Sequence, residues 1–266
     1  MVKKIGIWFI ILFIAINAVF EFIGDIPFVL DNPSVKIRND YKFEQFFLED
    51  NSSIYIIGSS LAASIMNKHI EGSRNLGVEG SNAIVAQRMI NRFNKTPKQI
   101  VIETNTLFDE PDSTLYQLFD SYKYDFGLYN LPMMKIENRL ITGLVMHSAR
   151  LFEKFMTYFP KGSIQKQASD FVKTERVLIS IKEIEIRLQK IIKDYHAKGT
   201  RVLFVEIPCP KLTQKTQSMT RSLMERLEVK DFITWDNHIT LDFPDGTHLS
   251  NQSSTIFSKW LQEKIK

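Results

Sequence analysis

Apolar positions along the chain follow two rhythms. Short apolar runs occur in SIYIIG (53–58), KQIVIETNTLF (98–108) and RVLFVEIPCP (201–210), and they predict strands buried on both faces. A further short strand is expected in SRNLGVEGSNA (73–83), ahead of a glycine-bearing loop, and a short segment at DFITWDN (231–237). Between these, apolar residues recur at helical spacing. AIVAQRMINRF (83–93) is one such stretch, and residues 176–198 carry a stripe of Ile181, Ile184, Leu188, Ile191 and Ile192. Helices are also expected at 214–228 and from about Asn251 to the end, and SSLAASIMNKHI (59–70) reads as a helix opening at its serines. Strands that alternate with helices of this length imply a parallel sheet covered on both faces.

Two segments fall outside that alternation. Residues 109–175 are aromatic-rich. Ile136, Leu140, Ile141, Leu144, Val145, Phe152, Phe155, Met156 and Phe159 share one helical face, which suggests an inserted helical cap. At the other end, Lys3 and Lys4 precede Ile5 to Phe20, which contains no charge. With the few residues that follow, the apolar stretch is nearly nineteen residues, and a helix of that length would reach roughly 28 Å, close to the hydrocarbon thickness of a bilayer. No small-x-small cleavage site follows Phe20. The stretch is therefore read as a retained signal anchor over residues 1–24, with the lysines on the cytoplasmic side and a linker at 25–50. A buried core helix is the other reading, and the absence of a polar face counts against it.

Composition adds bounds. The 266 residues carry 34 basic and 30 acidic side chains, a net charge of +4, with the basic residues scattered rather than clustered. Nucleic acid is not an expected partner. The single cysteine, Cys209, rules out an intrachain disulfide and a multi-cysteine metal site, and its place between Pro208 and Pro210 fits a packed loop thiol. His69, His147, His196 and His238 show no metal-ligand spacing, so no metal or other cofactor is expected.

In an open parallel sheet the ligand site lies beyond the carboxyl ends of the strands. Four polar features fall there: Ser59 and Ser60, Gly77 and Gly80, Asn105, and Asp245 with His248. Each has an ordinary structural use. A serine at a strand-to-helix junction caps the helix, a loop glycine supplies backbone freedom, and an asparagine after a strand makes a turn. An Asp three residues before a His can likewise be no more than a cap and a surface histidine.

Taken in order, these features resemble the four blocks of the SGNH/GDSL hydrolase family. Gly58-Ser59-Ser60-Leu61 is similar to its G-D-S-L block. Asn75-Leu76-Gly77-Val78-Glu79-Gly80 is similar to its second, glycine-bearing block. Glu103-Thr104-Asn105-Thr106 stands where the family has G-x-N-D, and Asp245-Gly246-Thr247-His248 matches D-x-x-H. Ser59 replaces the family aspartate of the first block, and the glycine and aspartate of the third are absent. The resemblance covers residues 53–108 and 176–260. It implies a three-layer α/β/α flavodoxin-like SGNH fold over 51–266, interrupted by the helical insert at about 109–175 and preceded by the N-terminal transmembrane helix.

The resemblance further implies roles. Ser60 would be the nucleophile, His248 its base and Asp245 the group that orients the histidine. The N–H groups of Ser60 and Gly80 and the amide of Asn105 would form the oxyanion hole, with the helix N-terminus at Ser60 adding a modest favourable field. Similar extracytoplasmic members act in O-acetylation or D-alanylation of envelope polymers, beside a multi-pass membrane acyltransferase. The expectation is therefore an O-acyltransferase or esterase acting on acyl esters, acetyl first, of a cell-envelope polysaccharide. It would sit in the bacterial inner membrane with its domain in the periplasm. The alternative is a non-catalytic partner or glycan-binding module that keeps the fold.

Overall fold

The computed structural model describes residues 52–92, 95–109 and 180–266, together with Ile11, Ile14, Ala15, Ala18, Asn39, Lys42, Phe43, Glu44 and Phe46. The chain divides into two compact units, one made of Met1–Leu48 with Asp120–Glu175 and the other of Glu49–Phe119 with Arg176–Lys266. The described residues of the first unit are helical, and Phe43 and Phe46 are fully buried in it. The anchor expected at 1–24, the linker at 25–50 and the insert at 109–175 lie almost wholly outside the described residues. No helix among the described residues is long and apolar enough to cross a membrane.

The second unit is an α/β domain. Its strands are β1 (Ile54–Ile57), β2 (Ser73–Asn75), β3 (Gln99–Glu103), β4 (Arg201–Glu206) and β5 (Phe232–Thr234). They pair in parallel in the order β2-β1-β3-β4-β5. This is the flavodoxin-like order of doubly wound sheets, and it puts a switch point between β1 and β3. The register sets Ile56 beside both Asn75 and Val101, so the loops leaving β1, β2 and β3 emerge at one edge of the sheet.

Alternation along the strands divides the core. On one face Ile56, Val101, Leu203 and Val205 join Leu61, Ala62 and Ile65, and Phe257, Trp260, Leu261 and Ile265 of the last helix. Each fully buried side chain of this size contributes about 1.5–3 kcal/mol. Trp260 stacks between Phe257 and Trp235 at 5.3 and 4.8 Å between centroids, and Cys209 packs half-buried against this cluster. The helices are α1 (Ser60–Ala63), α2 (Ala83–Arg92), α3 (Ile181–Ala197), α4 (Gln214–Arg226) and α5 (Asn251–Lys264). α2 packs on β1 and α3 on β4. α3 opens at Ser180, whose hydroxyl accepts from Glu183 N–H, and buries Ile184, Leu188, Ile191 and Tyr195. Tyr195, rather than Ile192, completes its stripe.

The helix expected over 59–70 is a correction. α1 has one turn and a 3₁₀ turn follows at Asn67–His69. Its carbonyls are taken by partners from elsewhere. Ser64 Oγ donates to Leu61 O at 2.6 Å, and Asn75 Nδ2 donates to Ala62 O and Ile65 O at 2.6 and 2.7 Å. A carbonyl held this way is lost to the next helical turn.

Candidate active site

The strand-to-helix turn after β1 is built around a missing side chain. A Cβ on Gly58 would lie 2.5 Å from Glu103 Cβ, 2.6 Å from Glu103 Oε2 and 2.7 Å from Ala62 Cβ. Ser59 is then held at three points. Its N–H donates to Glu103 Oε2 at 2.7 Å, its Oγ accepts from Leu61 N–H at 3.1 Å, and its carbonyl accepts from Ala63 N–H at 3.0 Å. Ser59 is the N-cap of α1. The cap and the candidate nucleophile are therefore two different serines, and Ser60 Oγ is left to reach His248 Nε2 at 2.8 Å.

Asp245 holds the histidine from the other side. His248 Nδ1 lies 2.6 Å from Asp245 Oδ2, and the backbone N–H groups of Thr247 and His248 donate to Asp245 Oδ1 at 2.8 and 2.7 Å. The bond from the His248 ring, followed by those two N–H bonds, holds the Asp245 carboxyl well below the usual carboxylate range. An ionised carboxylate only accepts, so Nδ1 carries the proton of the neutral ring. Nε2 then presents a lone pair to the Ser60 hydroxyl, the arrangement a general base needs. Gly246 makes this possible with φ +72°, and Lys211 Nζ donates to Asp245 O at 3.1 Å. The Asp245 and His248 side chains are 56% and 40% exposed, so solvent reaches both.

The three groups expected as oxyanion donors each keep a hydrogen without an acceptor among the described residues. Ser60 N–H and Gly80 N–H have no acceptor among the described residues. Asn105 Nδ2 gives one hydrogen to Ile207 O at 2.7 Å while its Oδ1 accepts from Ile207 N–H at 2.8 Å, so its second amide hydrogen is spare and its orientation is fixed. The loop carrying Gly80, which has φ +82°, is pinned to β1 through Leu76 N–H to Ile56 O and Val78 N–H to Gly58 O, at 2.7 and 2.8 Å. Asn75 Oδ1 accepts from Gly77 N–H at 2.7 Å. The helix field expected at Ser60 is corrected by the one-turn length of α1: few peptide dipoles align there, and the individual N–H groups carry the effect.

Among the other histidines, His69 lies in the 3₁₀ turn, His196 in the last turn of α3 and His238 in the exposed stretch after β5, all apart from the Ser60–His248–Asp245 line, while His147 lies outside the described residues. Among the described residues no three His, Cys, Asp or Glu side chains are grouped to hold a metal. Glu103, in contrast, is a participant the sequence hardly announced. It is fully buried, and burial pushes its carboxyl above the usual range against the bonds from Ser59 and Thr106. The one local signal was an acid closing the apolar run IVIE.

No protein-family model matches the chain, and no curated protein matches it. The site is therefore argued from its own geometry.

That geometry separates the two serines experimentally. Ser59→Ala removes the cap on Leu61 N–H but keeps the Ser59 N–H bond to Glu103. Stability should fall by about 1 kcal/mol in chemical denaturation, the usual cost of a lost serine cap. Ester turnover should persist. A Ser59→Ala enzyme as dead as Ser60→Ala would move the nucleophile to the wrong serine.

Proposed function

We propose that the chain is a serine acyl-transfer enzyme of the SGNH/GDSL type, an O-acyltransferase or esterase acting on acyl esters of a cell-envelope polysaccharide. The observation that carries this reading is the continuous line Asp245–His248–Ser60, at 2.6 and 2.8 Å. Capping and turn roles explain Ser59 and Gly246. They do not explain why a serine and a histidine from residues 188 apart share a hydrogen bond.

The chemistry follows from the atoms. Ser60 Oγ attacks the acyl carbonyl carbon as its proton passes to His248 Nε2, and Asp245 stabilises the imidazolium that results. The carbonyl oxygen becomes an oxyanion facing Ser60 N–H, Gly80 N–H and the Asn105 amide. One such donor is worth about 3–4 kcal/mol in the transition state. Collapse breaks the ester C–O bond, and the departing alkoxide takes the proton from Nε2. In the second half an acceptor hydroxyl gives its proton to Nε2 and attacks the acyl-Ser60 carbonyl; Ser60 leaves and recovers that proton. Water as acceptor makes the enzyme an esterase, and a sugar hydroxyl makes it a transferase. Solvent-reached catalytic side chains suit a polymer substrate, and the uncharged run Ile5–Phe20 behind a pair of lysines supports an envelope location for it.

The test is covalent. The full chain, treated with an alkyl fluorophosphonate and digested, should carry the label on the peptide containing Ser60. Incubation with p-nitrophenyl acetate and an envelope oligosaccharide then distinguishes acetate release from an acetylated sugar. A folded protein that takes no label and releases no nitrophenol would overturn the reading in favour of a non-catalytic partner.

A further inference from the structure

We infer that Glu103 is the positioning residue of this site, its buried carboxylate tying the nucleophile turn to the oxyanion loop across the switch point. The inference rests on the acyl-transfer reading and adds to it a residue that touches no substrate.

Three positions depart from the SGNH/GDSL pattern: Ser59, Glu103 and Thr106. In the fold they meet at a single carboxylate. Ser59 N–H donates to Oε2 at 2.7 Å, Thr106 N–H donates to Oε1 at 3.0 Å, and Thr106 Oγ1 lies 3.2 Å from Oε2. The family pattern places acids at the positions of Ser59 and Thr106 and a glycine at 103. Here the hydroxyl residues hold the first two positions and the acid holds the third. The departures are therefore one coordinated exchange rather than three separate losses. Gly58 belongs to it, since any side chain there would strike Glu103 Cβ and Oε2.

The placement of those bonds gives the acid its task. Ser59 immediately precedes the candidate nucleophile, and Thr106 immediately follows Asn105. One carboxylate thus fixes the backbone next to the Ser60 N–H and next to the Asn105 amide, at the ends of β1 and β3. Ile207 fixes Asn105 from the β4 side. Glu103 is 0% exposed and has no cationic partner among the described residues. Burying an acid without a cation is costly, and its bonds go instead to the two loops whose relative position sets the oxyanion donors. Only a carboxylate accepts at both oxygens. A glutamine at 103 would turn an amide N–H₂ toward one of the two backbone N–H groups and lose that tie.

The experiment compares the full-length wild type with Glu103→Gln and Thr106→Val, measuring kcat and KM for p-nitrophenyl acetate well below each melting temperature. Glu103→Gln should lower kcat about 10- to 100-fold, the scale of a sub-ångström to 1 Å misplacement, with KM within about threefold of wild type. Thr106→Val, which keeps the backbone bond and removes only the hydroxyl, should lower kcat about threefold, the effect of one ordinary hydrogen bond. A purely structural Glu103 would lower the melting temperature and leave kcat alone. Glu103→Gln that folds and keeps kcat within twofold, or that loses only KM, overturns the inference. If Glu103→Gln does not fold, Thr106→Val decides, and an unchanged kcat overturns it. A wild type that neither hydrolyses the ester nor labels at Ser60 removes the acyl-transfer reading and this inference together. A wild type that does both, beside an unaffected Glu103→Gln, removes this inference alone.

Discussion

Ser60→Ala and His248→Ala should each lower kcat for a small ester by about 10⁴- to 10⁶-fold, and the double variant should be no slower than either alone, because a triad acts as a unit. The hydroxyl and the imidazole share a 2.8 Å bond, and on the acyl-transfer reading the proton moves through it, so removing either would leave no activated nucleophile. Asp245→Ala should cost less, since Ser60, His248 and the N–H donors remain. Asp245→Asn should be worse than its small change in shape suggests. The asparagine side chain can offer an N–H to Nδ1, which flips the ring proton to Nε2 and points it at the serine. All five variants should melt close to wild type, as none of the three side chains is buried. Steady-state kinetics with melting curves on the same preparations make the check. Retained turnover in His248→Ala, with loss in His238→Ala, would place the base elsewhere.

Gly77→Ala is the largest stability effect expected. A Cβ at residue 77 would sit 2.4 Å from Ala63 N, 2.8 Å from Ala62 C and 3.0 Å from Ala62 Cβ. The first two are backbone atoms of α1, which no rotamer change can move. The neighbouring bonds resist any shift: Asn75 ties the same loop to Ala62 O and Ile65 O, and Val78 N–H ties it to Gly58 O. Overpacking of this kind costs about 3 kcal/mol, which for a domain of this size lowers the melting temperature by about 6–12 °C. Activity should fall with it, since relieving the contact pushes the Ser60 turn away from the loop that carries Gly80. By comparison, a Cβ at Gly80 meets nothing within 4 Å, and only its φ of +82° resists substitution. Gly80→Ala should therefore be the milder of the two in thermal melts. Equal melting temperatures for Gly77→Ala and wild type would mean that α1 and this loop are not packed as described.

Much of the second unit was legible in the sequence. The runs at 54–57, 100–102 and 202–207 became β1, β3 and β4, and Ile184, Leu188 and Ile191 of the expected stripe lie on the buried face of α3, because burial on a strand or helix imposes its period locally. The order of the polar features was legible too, since each follows a strand and the carboxyl ends of a parallel sheet share one edge. Three matters were not. The length of α1 follows from Asn75 at the end of β2, whose amide donates to the carbonyls of Ala62 in α1 and of Ile65 just past it. The partners of Ser59 and Ser60 came from Leu61 N–H on one side and His248 on the other, the latter 188 residues away. The bond that Glu103 accepts from Ser59 N–H comes from 44 residues earlier. A sequence window records which side chains want burial and at what spacing. It does not record which loops a paired sheet brings to the same edge, and hydrogen bonds between those loops exist only once the strands have paired.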